Sequence, residues 1–219
     1  MRAKIALFGG RLGRVAAEMW KHKHFSRIYP EYIYQSHSII RASVPLMESA
    51  ALACSKPEYA SNPVLQGFSR YLAKHIPEES GHHEWILDDG EALGMDRASI
   101  LDRLPTAHAA ELVGVQYYWI HHYNPIALAG YIATMEGSPD PAGFIQEIAI
   151  RNQLPLKCFS SLLYHAKIDP KHRRDFDDVL DSLPLTSRDH ELIGLSILRT
   201  THTMTRILEQ IIDAGLAAS

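Results

Sequence analysis

An all-α fold is what this sequence predicts, and three observations carry the prediction. Apolar residues recur at helical spacing through most of the 219 residues, and no alternating strand pattern persists for more than a few positions. Hydrophobic residues make up 46% of the chain, ample for a buried core. There is no repeat, low-complexity tract or linker long enough to separate domains, so one helical domain spanning 1–219 is the economical reading.

Taken in order, a first helix is expected over Leu12 to Tyr29, stopped by Pro30. A second covers Glu31 to Ala53, with a kink at Pro45, and Ser55 to Pro63 reads as a turn. The third runs from Val64 to Leu93 and stops at Gly94; Pro77 either kinks it or restarts it. A fourth spans Ala107 to Glu136, ending in Gly-Ser-Pro-Asp-Pro. A fifth runs from Ala142 to about Ile168 and is disturbed near Pro155. Asp169-Pro170 resembles a capping residue followed by a first-turn proline, starting a sixth helix to Leu183. Ser187 to Leu216 is the last, long and strongly periodic.

Charge narrows the function classes. The net charge is −3 with both signs interspersed, which leaves no basic face for nucleic acid. Leu112 to Met135 lacks Asp, Glu, Lys and Arg and is long enough to cross a bilayer. It also carries Gln116, His121, His122, Asn124 and Pro125, costly groups in lipid, so a buried central helix bent at Pro125 is expected. Met1 to Gly10 has no cleavage-type sequence, and Cys54 and Cys158 lack CxxC spacing, so a cytoplasmic chain with reduced thiols is expected.

The chemistry concentrates in three segments. His165, Asp169 and His172 stand at His-x3-Asp-x2-His spacing, which on a continuous helix puts all three side chains on one face. Mixed imidazole and carboxylate donors suit iron or manganese better than thiolate-rich sets. Glu79 and His82 form a Glu-x-x-His pair, the spacing by which helical di-iron carboxylate proteins present both donors to one metal. Glu136 is a lone carboxylate ending an uncharged helix, a costly burial unless a cation or hydrogen bonds compensate it. With Glu136 bridging, three carboxylates and three imidazoles can hold two iron ions at nearly balanced charge. Glu78 and His83 are the rivals one residue out of register. A solvated Glu-x-x-His pair, an exposed His172 beside Lys171, Arg173 and Arg174, and a helix-end Glu136 are the plain alternatives.

These residues resemble the haem-oxygenase-like di-iron oxidases and oxygenases, relatives of TenA, PqqC and the chlamydial protein associating with death domains. The resemblance rests on Glu79–His82 with Trp85 and Leu93-Gly94, on Leu128 to Glu136, and on His165-x3-Asp169-x2-His172. It implies a seven-helix bundle and a centre of two iron ions (Fe2+/Fe3+) held by Glu79, His82, Glu136, His165, Asp169 and His172, with dioxygen as co-substrate. Some members place their first carboxylate where this chain has His75, which therefore stands as a possible additional ligand. Members that sacrifice a tyrosine beside the bridging glutamate have no counterpart here, because Met135 occupies that position.

The expectation is an oxidase or oxygenase acting on a small amine, amino acid or fatty acid in specialised metabolism. Electrons would come from an external donor or from the substrate. Tyr117, Trp119, Phe159 and Tyr164 are candidate pocket residues; Tyr118 and Tyr123 flank them, and Arg151 and Lys157 are more simply solvated. A homodimer is expected, with no nucleic acid or membrane partner. The rival readings are a metal-free TenA- or PqqC-like enzyme, a haem-degrading oxygenase using His22 or His24, and a non-catalytic interaction protein.

Overall fold

A computed structural model of the chain describes residues 2–136 and 141–217. The close of the fourth expected helix at 137–140 lies outside them. The described residues form α-helices and short 3-10 turns with no strand. The helices are α1 (Arg2–Phe8), α2 (Gly10–Lys21), α3 (Phe25–Ile40), α4 (Ser43–Cys54), α5 (Pro63–Glu79) and α6 (His82–Ala92). They continue as α7 (Arg97–Asp102), α8 (Ala107–His122), α9 (Leu128–Met135), α10 (Ala142–Arg151), α11 (Ser160–Ser182) and α12 (Ser187–Ala217).

The fold class is the predicted one, but the breaks fall elsewhere. Pro30 does not stop a helix; it lies within α3, and the chain breaks earlier, where His22 turns extended. The second expected helix divides at Arg41–Ala42. Pro45 falls in the first turn of α4, where a missing N–H costs nothing because no intrahelical acceptor awaits it. In the third, Pro77 stays inside α5 and the break comes at Ser80–Gly81, with Gly81 at φ 89°, a conformation that favours glycine. Asn62 starts α5 by accepting from the Val64 and Leu65 N–H groups. Gly94, at φ 90°, ends α6 as expected: Met95 N donates to Gly90 O and Gly94 N to Glu91 O.

The uncharged segment does interrupt at Pro125. Proline holds Asn124 extended, and the Asn124 side chain caps the following 3-10 turn before α9 begins. Past α10, Gln153 takes φ 53° and the chain restarts as α11. Asp169 is not the expected cap. α11 runs unbroken through Pro170 and sacrifices one hydrogen bond of a 23-residue helix, so the fifth and sixth expected helices divide at 152–159 instead. No helix among the described residues is long and apolar enough to cross a membrane.

The 31-residue α12, about 46 Å long, is the axis of the bundle. It packs against α9, α3, α2, α1 and α8, while α4 lies on α5 and α8, α6 on α3, and α11 on α5, α6 and α10. Tyr29 stacks on Phe159 at 4.5 Å and donates a hydrogen bond to Cys158 O, fastening α3 to the turn that precedes α11.

The approach of α9 to α12 depends on Gly130. A Cβ there would stand 2.5 Å from Ile193 O and 2.9 Å from Ile197 N, both backbone atoms of α12. Gly130→Ala should cost about 1–3 kcal/mol by overpacking and lower Tm by roughly 2–4 °C for each of these; an unchanged thermal melt would refute the close contact. His37, buried on α3, supplies a pH test. Burial and then the Arg41 charge lower its pKa from 6.5 to about 4. Between those values the unfolded chain binds a proton that the folded chain refuses. The stability tied to neutral His37 is therefore complete above 6.5 and drains as pH falls toward 4. His37→Gln should flatten the decline of the urea midpoint across that window, and an equally steep decline in the variant would refute the assignment.

Candidate metal centre

Three parts of the bundle deliver seven imidazole and carboxylate side chains to one buried region. The last two turns of α5 carry His75 and Glu79, and α6 opens with His82. Because Gly81 breaks the chain between them, Glu79 and His82 meet across a corner rather than along one helical turn. Glu136 closes α9. His165, Asp169 and His172 lie along the continuous α11, at the offsets that share a face.

The imidazoles meet in two edge-to-face pairs. His75 and His172 have ring centroids 4.8 Å apart, and His82 and His165 5.0 Å. Glu79 lies between the pairs: its Oε1 is 3.3 Å from His172 Nδ1 and its Oε2 3.0 Å from His82 Nδ1. His75 Nε2 is 2.8 Å from Glu136 Oε1, and His165 Nδ1 is 3.0 Å from Asp169 Oδ1. Donor atoms of His75, Glu136 and His172 all lie within 4.8 Å of one another, close enough to share an ion.

Electrostatics in this region follow from burial set against pairing. Burial disfavours charged His75, but its hydrogen bond to Glu136 and the negative charge there outweigh it and raise the pKa to about 8. Burial likewise opposes His165, and Asp169 raises it. Glu79 is desolvated, yet contacts with His172 and His82 hold it well below the usual carboxylate range. Glu136 is raised by burial despite His75. Protonated imidazoles thus occupy the electrostatic role a cation would take.

The donor set fits a metal centre. His165 Nε2 and Glu136 Oε2 are buried and lack a hydrogen-bond partner, while the buried His82 Nδ1 and His172 Nδ1 meet only the oxygens of Glu79. Such groups are expensive to leave unsatisfied, and all four are first-row metal ligand atoms. The register rivals separate cleanly. His83 is substantially exposed and pairs with Glu84, whereas Glu78 lies at the outer edge, reaching His75, His172 and Lys171.

Beside the centre lies a cavity of about 290 Å³, with Glu79, Glu136, His165 and Asp169 in its wall. The rest of the lining is mainly apolar and comes from α3 and α4 (Ile39, Ile40, Leu46, Met47), α9 (Leu128, Tyr131, Ile132, Met135) and Leu162, Ile145 and Met204. The four aromatic residues expected to line a pocket do not. Phe159 is core, stacked on Tyr29; Tyr164 packs edge-on to Trp85 behind His82; Tyr117 stacks on His121, and Trp119 meets Tyr118 and Tyr123. The contribution of α3 and α4 carried no sequence signal, since their lining residues are ordinary apolar side chains.

The family model for an iron-containing redox enzyme matches residues 55–203, and the chain belongs to that family. A sequence comparison with curated proteins returns no match. Among solved structures, a domain of unknown function with a haem oxygenase-like fold from Shewanella denitrificans OS217 superposes with a TM-score of 0.81 at 19% identity, covering 97% of this chain and 90% of that one. A TenA homologue from Pseudomonas syringae pv. tomato DC3000 gives 0.69 at 12% identity, covering 95% and 92%. The fold is therefore haem oxygenase-like, of the TenA type.

One residue outside the sequence-derived set holds the centre together. Asp89 of α6 is fully buried, and its carboxylate accepts from Ser160 N (2.8 Å), Ser161 N (3.1 Å) and the Ser161 hydroxyl, capping α11 from another helix. Adjacent Asp88 and Asp89 are indistinguishable in the sequence; only tertiary packing singles one out. Asp89→Ala should cost about 2–4 kcal/mol, since a buried charged acceptor and its donors lose each other, and should weaken metal uptake by letting α11 shift. Calorimetry and iron titration read both, and a variant with wild-type melting and affinity would remove Asp89 from this role.

Proposed function

We propose that this iron-containing redox enzyme holds two iron ions and, with dioxygen, oxidises a small and largely apolar substrate. The observation that carries the reading is the convergence of buried imidazole and carboxylate donors from three separate parts of the bundle, with His165 Nε2 and Glu136 Oε2 left without hydrogen-bond partners. Glu79, His82, Glu136, His165, Asp169 and His172 would hold the metals. When bound, the iron pair supplies dioxygen binding and electron transfer.

The chain's own side chains do the rest. Glu79 faces an imidazole of each pair with a different oxygen, as a carboxylate shared between two ions would. Asp169 fixes the ring of His165 through Nδ1 and leaves Nε2 free to bind. The apolar cavity wall excludes water from the substrate's reacting carbon. Tyr131 lines the cavity with Ser43 and offers its hydroxyl to a polar group on the substrate.

Substrate class follows from what lines the cavity. Among the described residues its wall contains no Lys or Arg to pair with a free carboxylate. An acid group or an amine would have to turn toward the metals, where Glu79, Glu136 and Asp169 are committed as ligands. The volume, about 290 Å³, is roughly twice that of a cavity known to take benzene. A fatty acid of modest length or a hydrophobic amine suits it better than a zwitterionic amino acid. The metal-free alternative gains little here: Cys54 and Cys158 are buried, burial pushes the Cys54 thiol up to about 12, and neither lines the cavity.

The test is anaerobic loading with ferrous iron, then rapid mixing with dioxygen and candidate substrates under stopped-flow absorbance. Uptake of about two irons per chain and substrate-dependent oxygen consumption are expected, both lost in His165→Ala. An intact helical fold that takes up no iron would sink the reading.

A further inference from the structure

Resting on the two-metal reading, we infer that His75 is a seventh metal ligand, binding through Nε2 in one pole of the centre with His172 Nδ1 and Glu136, and that Glu78 is the carboxylate that orients the His75 ring. The geometry at the outer edge of the centre points there. Glu78 Oε2 is hydrogen-bonded to His75 Nδ1 at 3.3 Å and lies within charge contact of His172 Nε2 at 3.8 Å, on the outer side of both rings. Each ring turns its other nitrogen inward, His75 Nε2 toward Glu136 Oε1 at 2.8 Å and His172 Nδ1 toward Glu79 Oε1 at 3.3 Å. A carboxylate on one ring nitrogen with the other directed at a shared point is the arrangement that fixes metal-bound histidines.

Burial supports ligation over a surface ion pair. His75 is 1% exposed and His172 5%, while Glu78 is partly open to solvent and lies 3.5 Å from Lys171 Nζ. The imidazoles face the interior and the orienting carboxylate faces water, the polarity expected of ligands and their outer support. Tyr71 completes the enclosure, its ring stacked on His75 at 5.1 Å. His82, His165 and Asp169 then form the second pole, and Glu79, with one oxygen toward each pole, is the bridge in place of the expected Glu136.

The two poles should be separable by metal content. Anaerobic loading with cobalt(II), used as a spectroscopic stand-in for ferrous iron, should give about two ions per wild-type chain and about one in His75→Phe. Glu79→Gln should disturb both poles. His75→Glu replaces one donor with another, so it should keep the second ion while moving its visible absorption bands. A role for His75 in merely hydrogen-bonding Glu136 would leave His75→Phe with both ions and unshifted bands, and that result overturns the assignment while leaving the two-metal reading in place. Should His75→Phe fail to fold, Glu78→Gln decides: roughly 10–100-fold weaker binding of one ion only is expected, and unchanged affinities overturn the proposal. A folded wild type that binds no cobalt and no iron would remove the two-metal reading itself, and this inference with it.

Discussion

Three carboxylates and four imidazoles meeting in a space largely closed to water is the constraint around which this bundle is built. Each group alone would be costly to bury; together they neutralise one another, but incompletely. His75 is raised to about 8 while Glu79 is held far down, the signature of imidazolium standing beside carboxylate. Two of the donor atoms, His165 Nε2 and Glu136 Oε2, still lack a hydrogen bond. A cluster so arranged is poorly justified as a stability device, since apolar side chains of the same volume would pack without the desolvation cost. It is well justified as a preorganised cation site.

Holding such a cluster requires helices that stop where the ligands are needed. Gly81 turns the chain so that Glu79 and His82 face each other across a corner. Asn124 and Pro125 end α8 and let α9 drop onto α12, where Gly130 permits near-contact of backbones and brings Glu136 to its place. Asp89 ties the start of α11 to α6, so the helix bearing three ligands is fixed to the helix bearing His82. None of these devices touches the centre, and each sets the position of something that does.

Cavity and centre share a wall, which joins binding to chemistry. Glu79, Glu136, His165 and Asp169 face the apolar space, while His75 and His172 lie behind them with Glu78. The centre therefore has a substrate side and a supporting side. Differences in ligand donors between the two poles would give the two ions different electronic environments, and only one side can meet a substrate directly.

The sequence by itself determined the all-helical class, through period and composition, and the donor residues that meet in the candidate centre, through the His-x3-Asp-x2-His run, the Glu-x-x-His pair and the isolated Glu136. Those signals are local: helical spacing and donor type are properties of neighbouring residues. Proline misled the element boundaries, because Pro30 and Pro170 are tolerated inside α3 and α11 when packing on both sides holds the helix. Which of the adjacent Glu78 and Glu79 faces inward, what Asp89 does, and which apolar residues line the cavity were decided by tertiary structure alone. Orientation around a broken helix, and the meeting of residues some seventy positions apart, depend on how the helices pack, and no short window of sequence contains that information.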